Sequence, residues 1–391
     1  MRRDCPICGV GDVLSLAHQL FEDLPGRSLV GGYDVVCCRA CGFAFASGLP
    51  GPEDFARYYS EMSKYEHQAT GGATSPEDQA RCEAVADLVD SYMPDRGVPV
   101  LDVGCSTGVL LAAFKRCGYT DVEGLDPSPA CADLALTAHN IVVRTGVAAD
   151  LADAPRRYGL VLLSAVLEHF LDPVQVLRDA HAVLVDGGLL YVEVPDVEGF
   201  AECARAPFQE FSVEHINFFS RVSLTSMAGV AGFSCVHSER LRTPWTSGAQ
   251  APVIRAVYRK VGSVSEPVSD DLTQGALLEY VAVSERIEDG VRARIVELAS
   301  RGRPVLVWGV GTHTRHLLAA GTMDGLSVAA YVDSDPKCQG TEMRGVPVLG
   351  PEQVSDRREA ILISSGTAHR EIARQLRDQL GLDNEIILLY D

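Results

Sequence analysis

The sequence has no long apolar run. Across its 391 residues, no stretch reaches the roughly 18 apolar residues that indicate a membrane-spanning helix. The first residues, Met-Arg-Arg-Asp-Cys, also lack the apolar core of a secretory signal peptide. We therefore expect no membrane partner and a cytoplasmic location.

Basic residues are scarce relative to acidic ones, and they form no cluster. The chain contains 53 acidic residues against 34 Lys and Arg, which gives a formal net charge of −19 at pH 7. A surface of this sign repels the phosphate backbone of nucleic acids. Nucleic acid is therefore not an expected partner, and an RNA-modifying enzyme, which needs a basic face, is disfavoured.

Cysteine, in contrast, is plentiful, with 12 residues in the chain. Four of them form two Cys-x-x-Cys pairs, Cys5 with Cys8 and Cys38 with Cys41. Four thiolates at these spacings can close a tetrahedral shell around zinc, whereas a redox dithiol normally shows a single pair. The pattern predicts zinc. Because four protein ligands leave no position for a substrate, we expect the metal to be structural.

The length predicts more than one domain, because a single hydrophobic core stops growing at about 250–300 residues. The cysteine pairs define an N-terminal zinc-binding domain at residues 1–75. Alternating strand and helix patterns define a central Rossmann-like domain at residues 76–262. A linker-like segment, residues 261–269, precedes a C-terminal domain at residues 270–391. The predicted fold class is α/β.

The central domain shows a doubly wound pattern. Buried strands alternate with helical segments, and we predict strands at Val98–Val103, Asp121–Leu125, Leu160–Ser164 and Gly188–Val194. In such folds the ligand crevice lies outside the carboxyl ends of the parallel strands. Functional residues are therefore expected where these strands end.

The first of these strands runs into a glycine-rich turn. Gly104 and Gly108 let the backbone approach a ligand, while the following helix points its N-terminus at it. Asp126 ends the next strand, 24 residues after Asp102, and is placed to accept hydrogen bonds from two ribose hydroxyls. This arrangement indicates an adenosine cofactor. A dinucleotide follows the same logic, so the turn alone leaves NAD open.

The central domain resembles the class I S-adenosylmethionine (SAM) methyltransferases. The resemblance lies in residues 100–108, Asp126 and the string Ser164-Ala-Val-Leu-Glu-His169. The resemblance implies SAM as the cofactor. It implies cofactor contacts from Asp102, Gly104, Ser106, Gly108, Asp126, Val147, Ala148 and Ser164. Ser106 stands where many members have a second glycine, and Val147 where many have an acid.

A wider resemblance covers nearly the whole chain. The chain is similar to the sugar-nucleotide C-methyltransferases of deoxysugar and antibiotic biosynthesis. The similarity comprises the zinc-binding segment, the SAM domain with Glu214-His-Ile-Asn-Phe-Phe-Ser220, and a degenerate Rossmann-like C-terminal domain. Members methylate the 3-carbon of a dTDP-4-keto sugar, and the histidine of a Tyr-x-Glu-His motif is the proposed base. Glu214 and His215 match the last two motif positions, whereas Ser212 replaces the tyrosine. The resemblance implies a small-molecule acceptor, a nucleotide-linked sugar.

The proposed chemistry explains why histidine is needed. A carbon beside a ketone must lose a proton before it attacks the methyl group, and an imidazole can accept that proton near neutral pH. His215, with Glu214, is the candidate base; substrate binding and a structural hydrogen bond remain alternatives. His169 could orient the acceptor or hold the enolate oxygen, or could simply bond to backbone. Tyr59 and Tyr65 lie where the family supplies an aromatic from the first domain.

The C-terminal segment begins with a predicted helix at Leu272–Ser300, followed by a strand and the turn Gly309-Val-Gly311. A dinucleotide site begins in this way, but Thr314 replaces the third glycine, which disfavours NAD. The family resemblance implies instead that this domain helps to bind the nucleotide of the acceptor. Backbone donors that could cap a diphosphate are at Gly309, Gly311, Thr312 and His313. An empty scaffold is the alternative.

Other enzyme classes remain open. A methyltransferase acting on oxygen or nitrogen of another small specialised metabolite would share the central domain. A nucleotide-sugar reductase or epimerase would need NAD(P) in the C-terminal domain.

Overall fold

The computed structural model describes residues 2–25, 28–61, 75–154, 156–244, 250–366 and 368–390. Within these ranges, the strands are β1 Val13–Leu20, β2 Gly32–Cys38, β3 Ala44–Ser47, β4 Val100–Val103, β5 Val122–Asp126, β6 Val142–Thr145, β7 Tyr158–Ser164, β8 Leu184–Pro195, β9 Asn217–Phe218, β10 Phe233–Pro244, β11 Gln250–Lys260, β12 Val305–Trp308, β13 Val328–Val332, β14 Glu342–Met343, β15 Val346–Leu349, β16 Ala360–Ile363 and β17 Ile386–Leu388. The helices are α1 Pro52–Glu61, α2 Pro76–Asp90, α3 Val109–Arg116, α4 Pro129–His139, α5 Pro173–Val183, α6 Phe200–Cys203, α7 Arg221–Val230, α8 Thr273–Ser300, α9 Thr312–Ala319 and α10 His369–Asp378. None of the described helices is long and apolar enough to span a bilayer.

The N-terminal module is an antiparallel sheet in the order β1-β2-β3-β9. The β1–β2 hairpin brings the second cysteine pair back beside the first, as the spacing predicts. The fourth strand of this sheet comes from far along the chain, because Ala44 pairs with Phe218 and Phe45 with Asn217. The segment just after His215 is therefore a strand of the cysteine-bearing module.

The central sheet has the order β10-β11-β8-β7-β4-β5-β6. Strands β4 to β8 are parallel, and the β10–β11 hairpin joins the edge with β11 antiparallel to β8. Strand β4 is buried on both faces, which explains its continuous run of apolar residues around Asp102. The predicted α/β fold is confirmed. Strand β8 starts earlier than expected, since Leu184 already pairs with Tyr158 before an irregular stretch.

The C-terminal domain is a smaller sheet in the order β14-β15-β13-β12-β16-β17, parallel around its centre. Helix α8 connects it to the rest of the molecule. Leu277 and Tyr280 pack into the core shared with the N-terminal module, whereas Ile295 and Leu298 pack into the C-terminal core. One 28-residue helix thus belongs to two cores.

Candidate active site and four-cysteine centre

The glycine turn after β4 forms the floor of the central crevice. Gly104 and Gly108 have φ angles of +72° and +78°, which glycine adopts without strain. Gly104 lies directly against the segment after β7, since a Cβ there would meet the Cγ1 of Val166 at 2.5 Å. Helix α3 begins at Val109, so its N-terminal amides open toward this turn.

Asp126 joins the end of β5 to the glycine turn. Its carboxylate accepts hydrogen bonds from the backbone N–H of Ser106, at 2.8 Å, and of Ser128, at 2.9 Å. Beside it, the Ser106 hydroxyl is buried with no hydrogen-bond partner among the described residues. A buried hydroxyl of this kind normally has a partner. The donor and acceptor set therefore fits a polar cofactor such as SAM.

Asp102 lies beneath the turn and is 2% exposed. Burial and the neighbouring Asp126 raise the pKa of Asp102 to about 8, although Arg81 acts in the opposite direction. A cation in the crevice would favour the ionised carboxylate. SAM carries two cationic groups, a sulfonium and an amino group, so this acid also fits the cofactor.

The other predicted cofactor residues lie at the same edge of the sheet. Val147 follows β6, and its backbone N–H donates to Asp150 at 2.8 Å; Ala148 beside it is buried. Ser164 ends β7, and its hydroxyl accepts a hydrogen bond from Arg81 at 3.3 Å. Since β4, β5, β6 and β7 are parallel neighbours, their carboxyl ends bring all of these positions to one crevice.

A buried ion cluster supports this edge and was not predicted from the sequence. Glu193 on β8 pairs with Arg81 of α2 and with Arg255 of β11, the latter at 2.7 Å. The Tyr191 hydroxyl donates to the same carboxylate at 3.1 Å. Through Arg81 the cluster reaches Ser164. No local pattern indicates such a cluster, because its charges come from three separate elements.

The two predicted histidines come together above the crevice. His169 ends a single helical turn after β7, and His215 lies in the loop before β9. Their rings pack edge to face with centroids 5.1 Å apart. Donor atoms of Glu168, His169 and His215 lie within 4.8 Å of one another, so the group could also ligate a metal.

The hydrogen bonds of His169 favour one tautomer. Its Nδ1 lies 3.0 Å from the carbonyl oxygen of Glu214 and 3.2 Å from the hydroxyl of Tyr59. Because a carbonyl oxygen only accepts, Nδ1 carries the proton in this arrangement, which leaves Nε2 as an acceptor in the neutral ring. The bond to backbone that the sequence left as an alternative is present, together with a tyrosine contact.

Helix α1 supplies two phenols to the site. The Tyr58 hydroxyl donates to Glu214 Oε1 at 2.9 Å, and Tyr59 contacts His169. Burial, followed by the charge of Glu214, raises the pKa of both tyrosines above the usual range, so both phenols are neutral donors at physiological pH. The other tyrosine suggested by the sequence, Tyr65, lies outside the described residues.

Ser212, which stands where the family motif has tyrosine, shapes the loop instead. Its hydroxyl accepts hydrogen bonds from the backbone N–H groups of Glu214, at 3.3 Å, and His215, at 3.1 Å. This turn places the Glu214 side chain against Tyr58 of α1 and the His215 ring against His169. The phenols near Glu214 and His169 therefore come from α1, and Tyr58 was missed because only its neighbour was singled out.

The four predicted cysteines form one cluster. The Sγ atoms of Cys5 and Cys41 are 3.5 Å apart, as are those of Cys8 and Cys38, and all four lie within 4.8 Å. These separations exceed the disulfide bond length of about 2.05 Å. Tetrahedral zinc with bonds of about 2.3 Å requires sulfur atoms about 3.8 Å apart. The donor set fits zinc.

The predicted diphosphate residues lie where β12 meets α9. The N–H of Val310 donates to Asp333 at 2.8 Å, which repeats the link between strand end and turn seen in the central domain. Thr314 fills the place of the missing glycine, with its hydroxyl bonded to the Gly309 carbonyl at 2.7 Å. His313 Nε2 is 2.7 Å from the Tyr390 hydroxyl, and burial lowers the pKa of His313 to about 3.

The central domain matches a known protein family. Residues 77–238 match the family model described as a methyltransferase domain. The chain is a SAM-dependent methyltransferase. Residues 302–388 of the methyltransferase match a second model, described as C2185-like, N-terminal.

Individual proteins resemble the methyltransferase to different extents. It is 24% identical over 381 residues to the C-methyltransferase NovU of Streptomyces niveus, covering 90% of this chain and 86% of NovU. It is 34% identical over 107 residues to a ubiquinone biosynthesis O-methyltransferase of Azorhizobium caulinodans, covering 26% of this chain and 42% of that relative. Among solved structures, a Burkholderia thailandensis 1,6-didemethyltoxoflavin-N1-methyltransferase matches 57% of this chain and 98% of its own, at 20% identity and a TM-score of 0.42.

Proposed function

We propose that this methyltransferase methylates a carbon atom of a keto-deoxysugar nucleotide through an enolate. The observation that carries the proposal is the set of groups above the crevice: two imidazoles 5.1 Å apart, beside neutral phenols. Enolate formation needs a base for the carbon acid and a donor for the developing oxyanion, and this set offers both. Similarity to a C-methyltransferase along 90% of the chain supports the same reaction.

The central crevice would hold SAM. Asp126 would accept hydrogen bonds from the ribose hydroxyls, and Asp102 would face the cationic end of SAM. The Ser106 hydroxyl, which has no partner among the described residues, would hydrogen-bond to the cofactor. The glycine turn at Gly104 and Gly108 gives the backbone room. Adenine contacts are proposed for Val147, Ala148 and Ser164. When bound, the sulfonium of SAM supplies an electrophilic methyl group.

His215 would take the proton from the carbon beside the ketone of the acceptor. The electron pair of that C–H bond would move toward the carbonyl oxygen, and the neutral phenol of Tyr59 would stabilise the resulting negative charge. His169, whose Nε2 is an acceptor in the neutral ring, would orient the acceptor molecule by accepting a hydrogen bond from it. Glu214, held by Tyr58, would orient the loop that carries His215. With SAM held by the crevice residues, the carbon activated in this way would accept the methyl group, and the electron pair of the carbon–sulfur bond would remain on the sulfur of S-adenosylhomocysteine.

The two flanking regions would support this chemistry. Zinc bound by Cys5, Cys8, Cys38 and Cys41 would fix the N-terminal module without entering the reaction. The C-terminal domain would bind the nucleotide of the acceptor through Gly309, Gly311, Thr312 and His313. We retain the domain limits 1–75, 76–262 and 270–391 as part of this proposal.

Proton exchange at carbon tests the mechanism without methyl transfer. The enzyme, S-adenosylhomocysteine (SAH) and a dTDP-4-keto-deoxysugar in heavy water should exchange the hydrogen beside the ketone faster than enzyme-free controls. His215→Ala should reduce the enzymatic exchange by roughly 10²- to 10⁴-fold with SAH affinity unchanged, because the imidazole serves the acceptor. His18→Ala, at an exposed histidine, is the matched control and should exchange normally.

Oxygen methylation is the second candidate, since a stretch of 107 residues is 34% identical to an O-methyltransferase. In that case product analysis would find the methyl group on oxygen, and no exchange would occur at carbon. This result would refute the carbon mechanism and leave the SAM assignment intact.

A further inference from the structure

We propose that Arg3 and Asn217 form a clamp that sets the relative position of His169 and His215, and that metal binding in the four-cysteine module controls this clamp. The inference rests on the proposed function for the role of His215, but it makes its own structural prediction. Arg3 and Asn217 are positioning residues. Neither belongs to the glycine turn, the cysteine set or the histidine pair.

Arg3 reaches from the N-terminal module into the active-site loops. Its Nη2 donates to the carbonyl oxygen of Leu171 at 2.6 Å and to Asn217 Oδ1 at 3.0 Å. Its Nη1 donates to the carbonyl oxygens of Ala46 and Ile216, each at 3.2 Å. The residue is 7% exposed. One guanidinium therefore joins the loop of His169, the loop of His215 and the cysteine-bearing sheet.

Asn217 completes the connection between the two loops. Its Nδ2 donates to the carbonyl oxygen of Phe170 at 2.7 Å and to that of Glu168 at 3.2 Å, on either side of His169. The backbone N–H of Ile216, the residue after His215, also donates to the Glu168 carbonyl oxygen at 3.0 Å. The residues flanking each histidine are thus tied to one another.

The geometry of these contacts depends on an arginine. The planar guanidinium presents several N–H donors in a fixed arrangement, so it can satisfy acceptors from three segments at once. Without it, the partly buried carbonyl oxygen of Leu171 would lose its guanidinium donor, and that of Ile216 would keep the Ala46 N–H alone, so the loops would relax. A shift of this kind would change the separation of the two imidazoles.

The four-cysteine module controls both arms of the clamp. Arg3 lies two residues before Cys5, and Asn217 belongs to β9, which pairs with β3 just after Cys41. Four thiolates around Zn²⁺ carry a net charge of −2, and Arg3 is a buried cation beside Cys5. Metal that holds Cys5 to Cys41 would therefore fix Arg3 and β9 relative to each other.

The experiment compares Arg3→Met with Arg2→Met in the full-length, metal-loaded enzyme. Arg2 is exposed, and its side chain donates to the Gly11 carbonyl oxygen and not to the histidine loops within the described residues, so it is the matched control. We expect Arg3→Met to slow carbon–hydrogen exchange by about 10²-fold, the effect of a misplacement of about 1 Å. SAH affinity should stay within about twofold of wild type, because the clamp lies outside the cofactor crevice.

Histidine NMR gives a readout that does not depend on turnover. The ring signals of His169 and His215, assigned from the His169→Ala and His215→Ala spectra, should shift in Arg3→Met and not in Arg2→Met. Arg3→Lys keeps the positive charge but has fewer N–H donors, so it should shift the histidine signals less than Arg3→Met does. If Arg3→Met fails to fold, Arg3→Lys replaces it in the comparison. Removing the metal with a chelator should shift the same signals in wild type, in the direction in which Arg3→Met shifts them.

The outcomes separate this inference from the proposed function. Unchanged histidine signals in Arg3→Met and Arg3→Lys would overturn the clamp, and unchanged signals after metal removal would overturn its control by the module. A parallel loss of SAH affinity and exchange would also overturn it, as that indicates general destabilisation. If wild type shows no exchange at carbon, the proposed function fails, yet shifted signals would still support the clamp.

Discussion

At the residue scale, the cofactor crevice is built around two acids in different environments. Asp126 is held by backbone N–H groups, whereas no hydrogen bond to the Asp102 carboxyl is among the contacts of the described residues. Burial therefore dominates at Asp102 and raises its pKa to about 8, above the ordinary value of 3.8. The same residue type thus serves as a hydrogen-bonded anchor in one position and as a pH-sensitive group in the other.

The pKa of Asp102 predicts how stability depends on pH. Between about pH 4 and pH 8 the unfolded chain has released this proton while the folded chain retains it. The folded state then binds more protons, so the free energy of unfolding falls as pH rises, by at most about 1.4 kcal/mol per pH unit from one group. Urea denaturation of Asp102→Asn across this window should show a shallower decline than wild type. Parallel profiles for the two proteins would contradict the prediction.

Asp126 predicts the strength of cofactor binding. Asp126→Ala removes the ribose acceptor and releases the Ser106 amide, so SAH binding measured by calorimetry should weaken by roughly 1.5–3 kcal/mol, the range for hydrogen bonds to a charged group. Asp121→Ala is the matched control, because Asp121 precedes the opposite end of β5 and pairs with Arg156. Equal affinities for Asp126→Ala and wild type would mean that the ribose binds elsewhere.

At the element scale, α2, β8 and β11 are joined by the ion cluster at Glu193. Arg81 and Arg255 approach one carboxylate from opposite elements, and Glu193 and Arg255 are almost fully buried. Replacing one partner of a buried pair is far more costly than replacing an exposed one, since it leaves a charge without compensation. The cluster therefore holds the antiparallel hairpin to the parallel part of the sheet.

Glu193→Gln should lower the free energy of unfolding by about 3–5 kcal/mol, because it leaves two arginines without a countercharge. Chemical denaturation without ligand measures the change. Glu297→Gln, at an exposed pair with Arg301, should change stability by less than about 1 kcal/mol. A similar small loss for both variants would show that water reaches the Glu193 cluster.

At the scale of the whole molecule, the N-terminal module and the methyltransferase domain share a sheet. Strand β9 pairs with β3, and Gly42 lies so close to the Asp270 backbone that a larger residue would clash. Asp270 in turn accepts from the backbone N–H groups at the start of α8. The backbone at Cys41 and Gly42 therefore contacts Asp270, the residue that caps the start of the helix leading to the C-terminal domain.

The purified protein should contain one zinc ion per chain, measured by elemental analysis. Structural zinc contributes on the order of 10 kcal/mol to folding its module, so Cys38→Ser should lose the metal and lower the melting temperature. Cys37→Ser is a close control, because this neighbouring thiol is outside the four-cysteine cluster and bonds to the Gly42 carbonyl oxygen. Metal-free wild type, isolated without chelator, would remove the zinc proposal.

The sequence by itself determined the parts of this protein that depend on short spacing. Local sequence patterns report such features directly, because each depends on the backbone geometry of a few neighbouring residues. They are the Cys-x-x-Cys pairs, the turn from Gly104 to Gly108 and the alternation of strands with helices. Parallel strands then required that Asp102 and Asp126 meet at one edge. The fold class and an adenosine-containing cofactor followed from these local rules, whereas SAM in particular was implied by the family resemblance.

Only the tertiary structure decided what surrounds the histidines. Arg3 and Asn217 are 214 residues apart in the chain, and their contact arises because β9 crosses into the cysteine-bearing sheet. The phenols of α1 and the charges at Glu193 likewise come from elements that no sequence period connects. Hydrogen bonds and ion pairs act over a few ångströms of space, whichever residues the fold places there, and so a sequence pattern cannot name their partners in advance.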